Sequence, residues 1–207
     1  MNTKTISALL VALVGSTATV GASFTLHAPK LTAGGEIVGM VKSASGGKQQ
    51  YAVVSLTSVS GSYSAPSSVV VMDQHDKDFV PHVLAVMKGT TVRFSNSDTF
   101  LHNVFSSSRV QTFNVSQAKQ GDHTDLRFNS PGIVPIKCHI HANMKAYIVV
   151  LANPFFAVTS ASGLFTINGV PAGTYALKVW SEGGSATQSI TVPNSGPVKV
   201  IIQLKRP

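Results

Sequence analysis

Apolar residues recur at every second position in short runs along most of this chain. Val92 and Phe94 alternate with Arg93 and Ser95, and Tyr175, Leu177 and Val179 alternate with Ala176, Lys178 and Trp180. A period of two throws successive side chains onto opposite faces, so each run predicts a strand with one face turned to a core. Turn residues such as Asn168-Gly169 and Pro171-Ala172-Gly173 punctuate the runs. No stretch holds helical spacing for more than a turn or two. The pattern predicts an all-β protein of sandwich type.

The N-terminus departs from this pattern. Lys4 precedes an apolar run at 6–14, and small residues follow up to Val20-Gly21-Ala22. That order predicts a secretory signal peptide over 1–22. The apolar core is too short for a membrane anchor, which needs about 20 residues. The mature chain is therefore expected to be periplasmic or secreted, with no transmembrane segment.

Charge narrows the function classes. Only 12% of residues are charged, and the net charge is +8. The basic residues are scattered, with no block of five and no aromatic interleaving, which excludes a nucleic-acid tail. A basic exported protein is expected to meet an acidic partner or an anionic membrane surface. The chain has one cysteine, Cys138. It can form no internal disulfide, and an unpaired thiol in an oxidising compartment is exposed to cross-linking. Metal ligation removes that liability by holding the sulfur as a shielded thiolate.

Cys138 lies in Lys137-Cys138-His139-Ile140-His141-Ala142-Asn143-Met144, between two apolar runs that read as strands, 132–137 and 146–151. With His102 upstream, Cys138, His141 and Met144 supply a thiolate, two imidazoles and a thioether. This is the donor set of a blue copper centre, two His and a Cys with a weak axial Met. Singly, each residue reads more simply as core filler or a satisfied polar group; the spacing in one short loop favours ligation. One mononuclear copper per chain is expected.

The stretch 69–151 resembles the cupredoxins, the blue copper proteins of the amicyanin and plastocyanin type. The resemblance rests on Cys138-x2-His141-x2-Met144, on Gly89-Thr90-Thr91, on 92–104 leading through His102, and on Phe128-Asn129-Ser130-Pro131-Gly132. It implies a Greek-key β-sandwich with copper held by His102, Cys138, His141 and Met144. It also implies that Asn103 ties the two ligand loops together. Where relatives carry Ser or Thr and then Pro after the Cys, this chain has His139 and Ile140; where they often carry an aromatic residue before it, this chain has Lys137. Asn103 is therefore expected to lack its usual partner, and an aromatic exit beside Cys138 to be absent.

The flanks resemble a second small sandwich, of the carboxypeptidase-regulatory or transthyretin-like kind. Its opening strands correspond to 36–41 and 50–56, and its later part to Gly163-Leu164-Phe165 and Pro171-Ala172-Gly173-Thr174-Tyr175. The expected organisation is a cupredoxin domain at 69–151 inserted in a host formed by 34–68 and 153–207. Trp180 is expected in the host's own packing.

No phosphate-cradling loop and no nucleophile elbow is present. Asp73, Asp76 and Asp78 near His75 read as a solvated loop, and His82 and His139 as neighbours of the site or surface residues. The chain is expected to be no enzyme but an electron carrier, with His141 as the exit and a cytochrome or reductase as partner. Copper sequestration or delivery without redox cycling is the alternative. Phe100, Leu101 and Ala142 are expected to form an apolar face at His141, with Lys137, Lys145 and Arg109 as candidate steering charges.

Overall fold

The computed structural model describes residues 34–206, and the expected signal peptide lies outside them. Among the described residues there is no helix, and none long and apolar enough to cross a membrane. The fold is all-β, as the alternation predicts.

Among the described residues, sixteen strands form four sheets. The flanking segments supply β1 (Gly35–Lys42), β2 (Val53–Thr57), β12 (Phe156–Val158), β13 (Leu164–Val170), β14 (Gly173–Ser181), β15 (Gly184–Val192) and β16 (Pro197–Gln203). These make a three-stranded sheet ordered β13-β1-β16 and a four-stranded sheet ordered β12-β2-β14-β15. The central stretch supplies β3 (Val70–His75), β4 (Asp78–Val80), β5 (Val83–Met87), β6 (Thr90–Asn96) and β7 (His102–Ser107). It continues with β8 (Thr112–Ala118), β9 (His123–Phe128), β10 (Gly132–Lys137) and β11 (Lys145–Leu151). They form one sheet ordered β4-β3-β6-β9 and another ordered β5-β11-β10-β7-β8.

Each pair of sheets encloses a core. In the flanks, Ile37, Val41, Val54, Leu56, Phe165, Ile167, Leu177 and Val179 meet in one cluster. In the centre, Met72, Phe94, Phe128, Ile136 and Ile148 meet in another, and that cluster also takes in Cys138 and Met144. Register matches the sequence pattern: β1 sets Gly39 against Phe165 and Ile37 against Ile167, and β2 sets Leu56 against Leu177 and Val54 against Val179.

A third, smaller cluster joins the two sandwiches. Val53 of β2 meets Val83 and Val149, with Tyr147, Leu151 and Trp180 packed around them. This explains why 146–151 and 53–56 read as nearly continuous apolar runs: β11 and β2 are covered on both faces. Trp180 falls on this seam, against Tyr147 at a ring separation of 5.1 Å, rather than in the flanking core. Alternation decides its place, since it points opposite to Val179 and Leu177. Where the chain leaves and re-enters the flanking sheets, Tyr63 packs edge-on against Phe155, and the Asn153 side chain donates to the Leu56 carbonyl at 2.9 Å.

Candidate metal centre

His102 opens β7, Cys138 follows the end of β10, and His141 and Met144 stand on the loop before β11. Antiparallel pairing of β10 with β11 brings Lys137 opposite Lys145, so the seven residues between them must turn back within a short loop. Main-chain bonds close it: the Met144 N–H donates to the His141 carbonyl at 3.0 Å, and the Cys138 N–H to the Met144 carbonyl at 3.2 Å.

The ligating atoms of His102, Cys138 and His141 all lie within 4.8 Å of one another. The Nδ1 atoms of the two histidines face each other at 3.1 Å. Two nitrogens each about 2.0 Å from one ion stand roughly this far apart at trigonal or tetrahedral angles. His102 is fully buried, Cys138 is 6% exposed, and His141 is partly open to solvent. Burial lowers the His141 pKa, and the nearby His102 and Lys77 lower it further, which favours the neutral imidazole that a metal requires. Met144 is buried in the same cluster as Cys138. A thiol, two imidazoles sharing one point and a buried thioether fit copper, whose soft oxidation state prefers sulfur.

The far nitrogen of His102 is also held. Its Nε2–H donates to Asp98 Oδ2 at 2.7 Å, which leaves Nδ1 free to face His141. Asp98 is itself 7% exposed and receives the N–H groups of Asp76 at 2.8 Å and Lys77 at 2.9 Å. Those two residues take positive φ values, 53° and 59°, in the turn between β3 and β4, and the turn so formed wraps the carboxylate. Burial pushes the Asp98 pKa up, but the Lys77 amide, His102 and the Asp76 amide outweigh it and bring it below the ordinary value. Sequence reasoning missed Asp98. Its only signal is its place four residues before His102.

Asn103 does not lose its partner. Its Oδ1 accepts the His139 main-chain N–H at 2.8 Å, and its Nδ2 donates to Asn114 Oδ1 at 2.7 Å. Any residue but proline after Cys138 supplies a main-chain donor, so His139 keeps the tie intact. The exposed His139 ring lies flat on Phe105, with centroids 3.6 Å apart and planes 4° apart. An aromatic surface beside Cys138 is thus present, supplied by β7 rather than by the position before the cysteine.

Among solved structures, similarity runs to a copper-containing nitrite reductase from Thermus scotoductus SA-01. The identity is 26%, over 45% of this chain and 24% of that one, with a TM-score of 0.40. A reduced mutant of amicyanin is 22% identical over 47% of this chain and 98% of its own, with a TM-score of 0.39. A purple cupredoxin from Nitrosopumilus maritimus is 22% identical over 41% of this chain and all of its own, with a TM-score of 0.36. The chain spans about a quarter of the nitrite reductase. Residues 139–199 match the family described as polysaccharide lyase family 4, domain II. No curated protein matches the chain.

The remaining sequence candidates divide clearly. Phe100 and Leu101 are about half exposed, and the Phe100 ring meets the His141 ring edge-on at 6.3 Å. The cation at this edge is Lys77, whose Nζ sits 4.1 Å from the Phe100 ring centre. Lys145 instead points to the seam, where its Nζ donates to Glu182 at 2.9 Å. Glu182 also receives His82 at 2.7 Å and Tyr147 at 2.8 Å. Burial raises the Glu182 pKa, but these three donors win and hold it at about 2. Burial and the same carboxylate push Tyr147 up to about 12. The group His75, Asp76 and Asp98 is close enough to suggest a second cation site, but the Asp98 carboxylate already serves His102 and two amides.

Proposed function

We propose that this chain is an exported carrier of single electrons, with one copper held by His102, Cys138, His141 and Met144. Copper bound there supplies one-electron chemistry by alternating between its cuprous and cupric states. The observation that carries the reading is the facing pair of Nδ1 atoms at 3.1 Å beside the only cysteine. Cys138 would contribute the thiolate and Met144 a weak thioether. Asp98 fixes the His102 tautomer, and Asn103 joins β7, β8 and the ligand loop into one frame. Such bracing suits cycling, because ligands held from outside need not rearrange when the charge on the ion changes. It suits delivery of the ion poorly. His141, with Phe100 and Leu101 beside it, is the electron exit, and an acidic redox protein is the partner.

We further assign 69–151 to a cupredoxin domain and 34–68 with 153–207 to its host. The pairings of β1 with β13 and of β2 with β14 support that division.

The test is a visible spectrum of the copper-loaded protein. An intense thiolate-to-copper band that bleaches reversibly at constant metal content is expected, and Cys138→Ala should lose the band. A colourless cupric form of the intact chain would sink the blue-copper assignment. Coloured protein that sheds its metal on reduction would favour sequestration or delivery.

A further inference from the structure

The outer face of the sheet β13-β1-β16 takes no part in the core or in the seam. Its register builds a pattern that the linear sequence hides. Met40 of β1 stands opposite Leu164 of β13 on one side and Ile201 of β16 on the other. Leu164 is 49% exposed and Ile201 is 66% exposed, so a continuous apolar row crosses all three strands. Scattered single aliphatics on a surface need no explanation, but three in register make a ridge.

Cationic rows bound this ridge on both sides. One step along, Val38 pairs with Lys199; one step the other way, Lys42 pairs with Gln203 and bridges to Lys48. Among the described residues, Lys42, Lys48 and Lys199 make no ion pair. The only acid on this face, Glu36, stands at its far end opposite Pro197.

We propose that this face docks on an anionic lipid surface, with Leu164, Met40 and Ile201 entering the interface and the three lysines lying at headgroup level. The composition decides between occupants. Protein interfaces favour aromatic residues and Arg and are depleted in Lys, with Leu under-represented among their energetic anchors. Here the ridge and its flanking rows hold no aromatic residue and no Arg; beside the aliphatics and lysines stand only Thr166, Gln203 and, at the far end, Glu36. Lysines that keep their stems on an apolar surface while the ammonium reaches anionic headgroups suit a bilayer. A second copy of this face would bring the lysines against lysines. The four-stranded sheet β12-β2-β14-β15 lies between this face and the central sandwich, so docking leaves the His141 edge free to meet a soluble partner.

Sedimentation of the full chain with vesicles tests this. Phosphatidylcholine vesicles with about a third phosphatidylglycerol should bind the protein at least tenfold more tightly than phosphatidylcholine alone, and the binding should weaken as salt rises. Replacing one of the three lysines with Gln should weaken binding roughly fivefold, from about one kcal/mol per basic residue at an anionic surface. Ile201→Asp should weaken it more than tenfold. Ile201→Thr, which keeps a strand-favouring side chain, should fall between and controls for folding, with an unchanged melting temperature. Because every variant keeps residues 1–33, binding through the apolar run at 6–14 is common to all. Equal binding of wild type and variants, or equal binding to neutral vesicles, would overturn the proposal. So would concentration-dependent dimerisation abolished by Ile201→Thr, which would assign the face to self-association. None of these outcomes alters the copper band, so docking and the copper reading fail separately.

Discussion

The central sandwich and the flanking one are built from the same kind of strand, yet they bury different things. Gln74, Thr90, Asn96, Asp98, His102, Asn103 and Ser106 are buried in the centre; in the flanks, only Ser55, Asn153, Thr159 and Ser181 are. Three of the four flanking groups serve where segments join: Asn153 on Leu56, Thr159 on Ala52 and Gln49, and Ser181 in the turn that presents Glu182. Much of the central set converges on one histidine. Asn96 accepts the N–H of Asp98, Asp98 holds His102, and Asn103 follows it in the chain. Burying a polar group is costly unless it is paired, so a concentration of paired groups marks where position matters more than packing. The flanks are ordinary scaffold by this measure.

Four substitutions sharpen that contrast. Asp98→Ala should have the largest effect, because it strips the far nitrogen of a fully buried histidine. A stability loss of about 2–3 kcal/mol is expected, with copper affinity down roughly ten- to hundredfold. Chemical denaturation and competition with a chelator measure the two. An unchanged affinity would show that Asp98 merely fills space.

Glu182→Gln comes next and attacks the seam. The carboxylate has an ordinary value near 4.5 and about 2 in the fold. A depressed carboxylate contributes stability above its unfolded value, and that contribution is lost as pH falls from about 4.5 through about 2. About 1–2 kcal/mol is expected after allowing for its partial exposure. The variant should be less stable at pH 7, and its stability should vary less than the wild type's between pH 5 and pH 2. Parallel acid profiles for the two proteins would remove Glu182 from this account.

Asn103→Ala should cost about 1 kcal/mol and broaden or shift the visible band, since the ligand loop loses its tie to β7. Met144→Leu should affect stability least. It should retain copper and raise or lower only the potential, because a thioether in the proposed site would tune the ion more than hold it; voltammetry gives the shift, and metal analysis checks retention.

Much of this was legible in the residues. Alternation revealed the all-β fold, and spacing singled out Cys138, His141 and Met144 as candidate ligands, of which Cys138 and His141 gather with His102. Asp98 did not, because its contact with His102 exists only once the turn at Asp76 and Lys77 folds over the carboxylate. The partner of Asn103 was misjudged for a simpler reason: it is a main-chain amide, and an amide has no letter in the sequence. Lys77, a residue the sequence reading did not single out, is set over Phe100, since surface placement depends on turns rather than on nearness in sequence. Trp180 lies outside the cluster that holds Cys138 but on the seam, because alternation sets it opposite Val179 and a second sandwich covers that face.

The bond from Asn153 to Leu56 joins residues 97 positions apart. On a ribosome, β1 and β2 emerge early and then wait for partners that lie beyond the whole central sandwich. Closing so long a loop without structure inside it costs about 4 kcal/mol, apart from a constant. Once the centre has folded, its two ends already stand side by side and most of that cost is gone. The flanking sheets are thus expected to assemble last, with the sandwich holding His102 and Cys138 as the template on which they close.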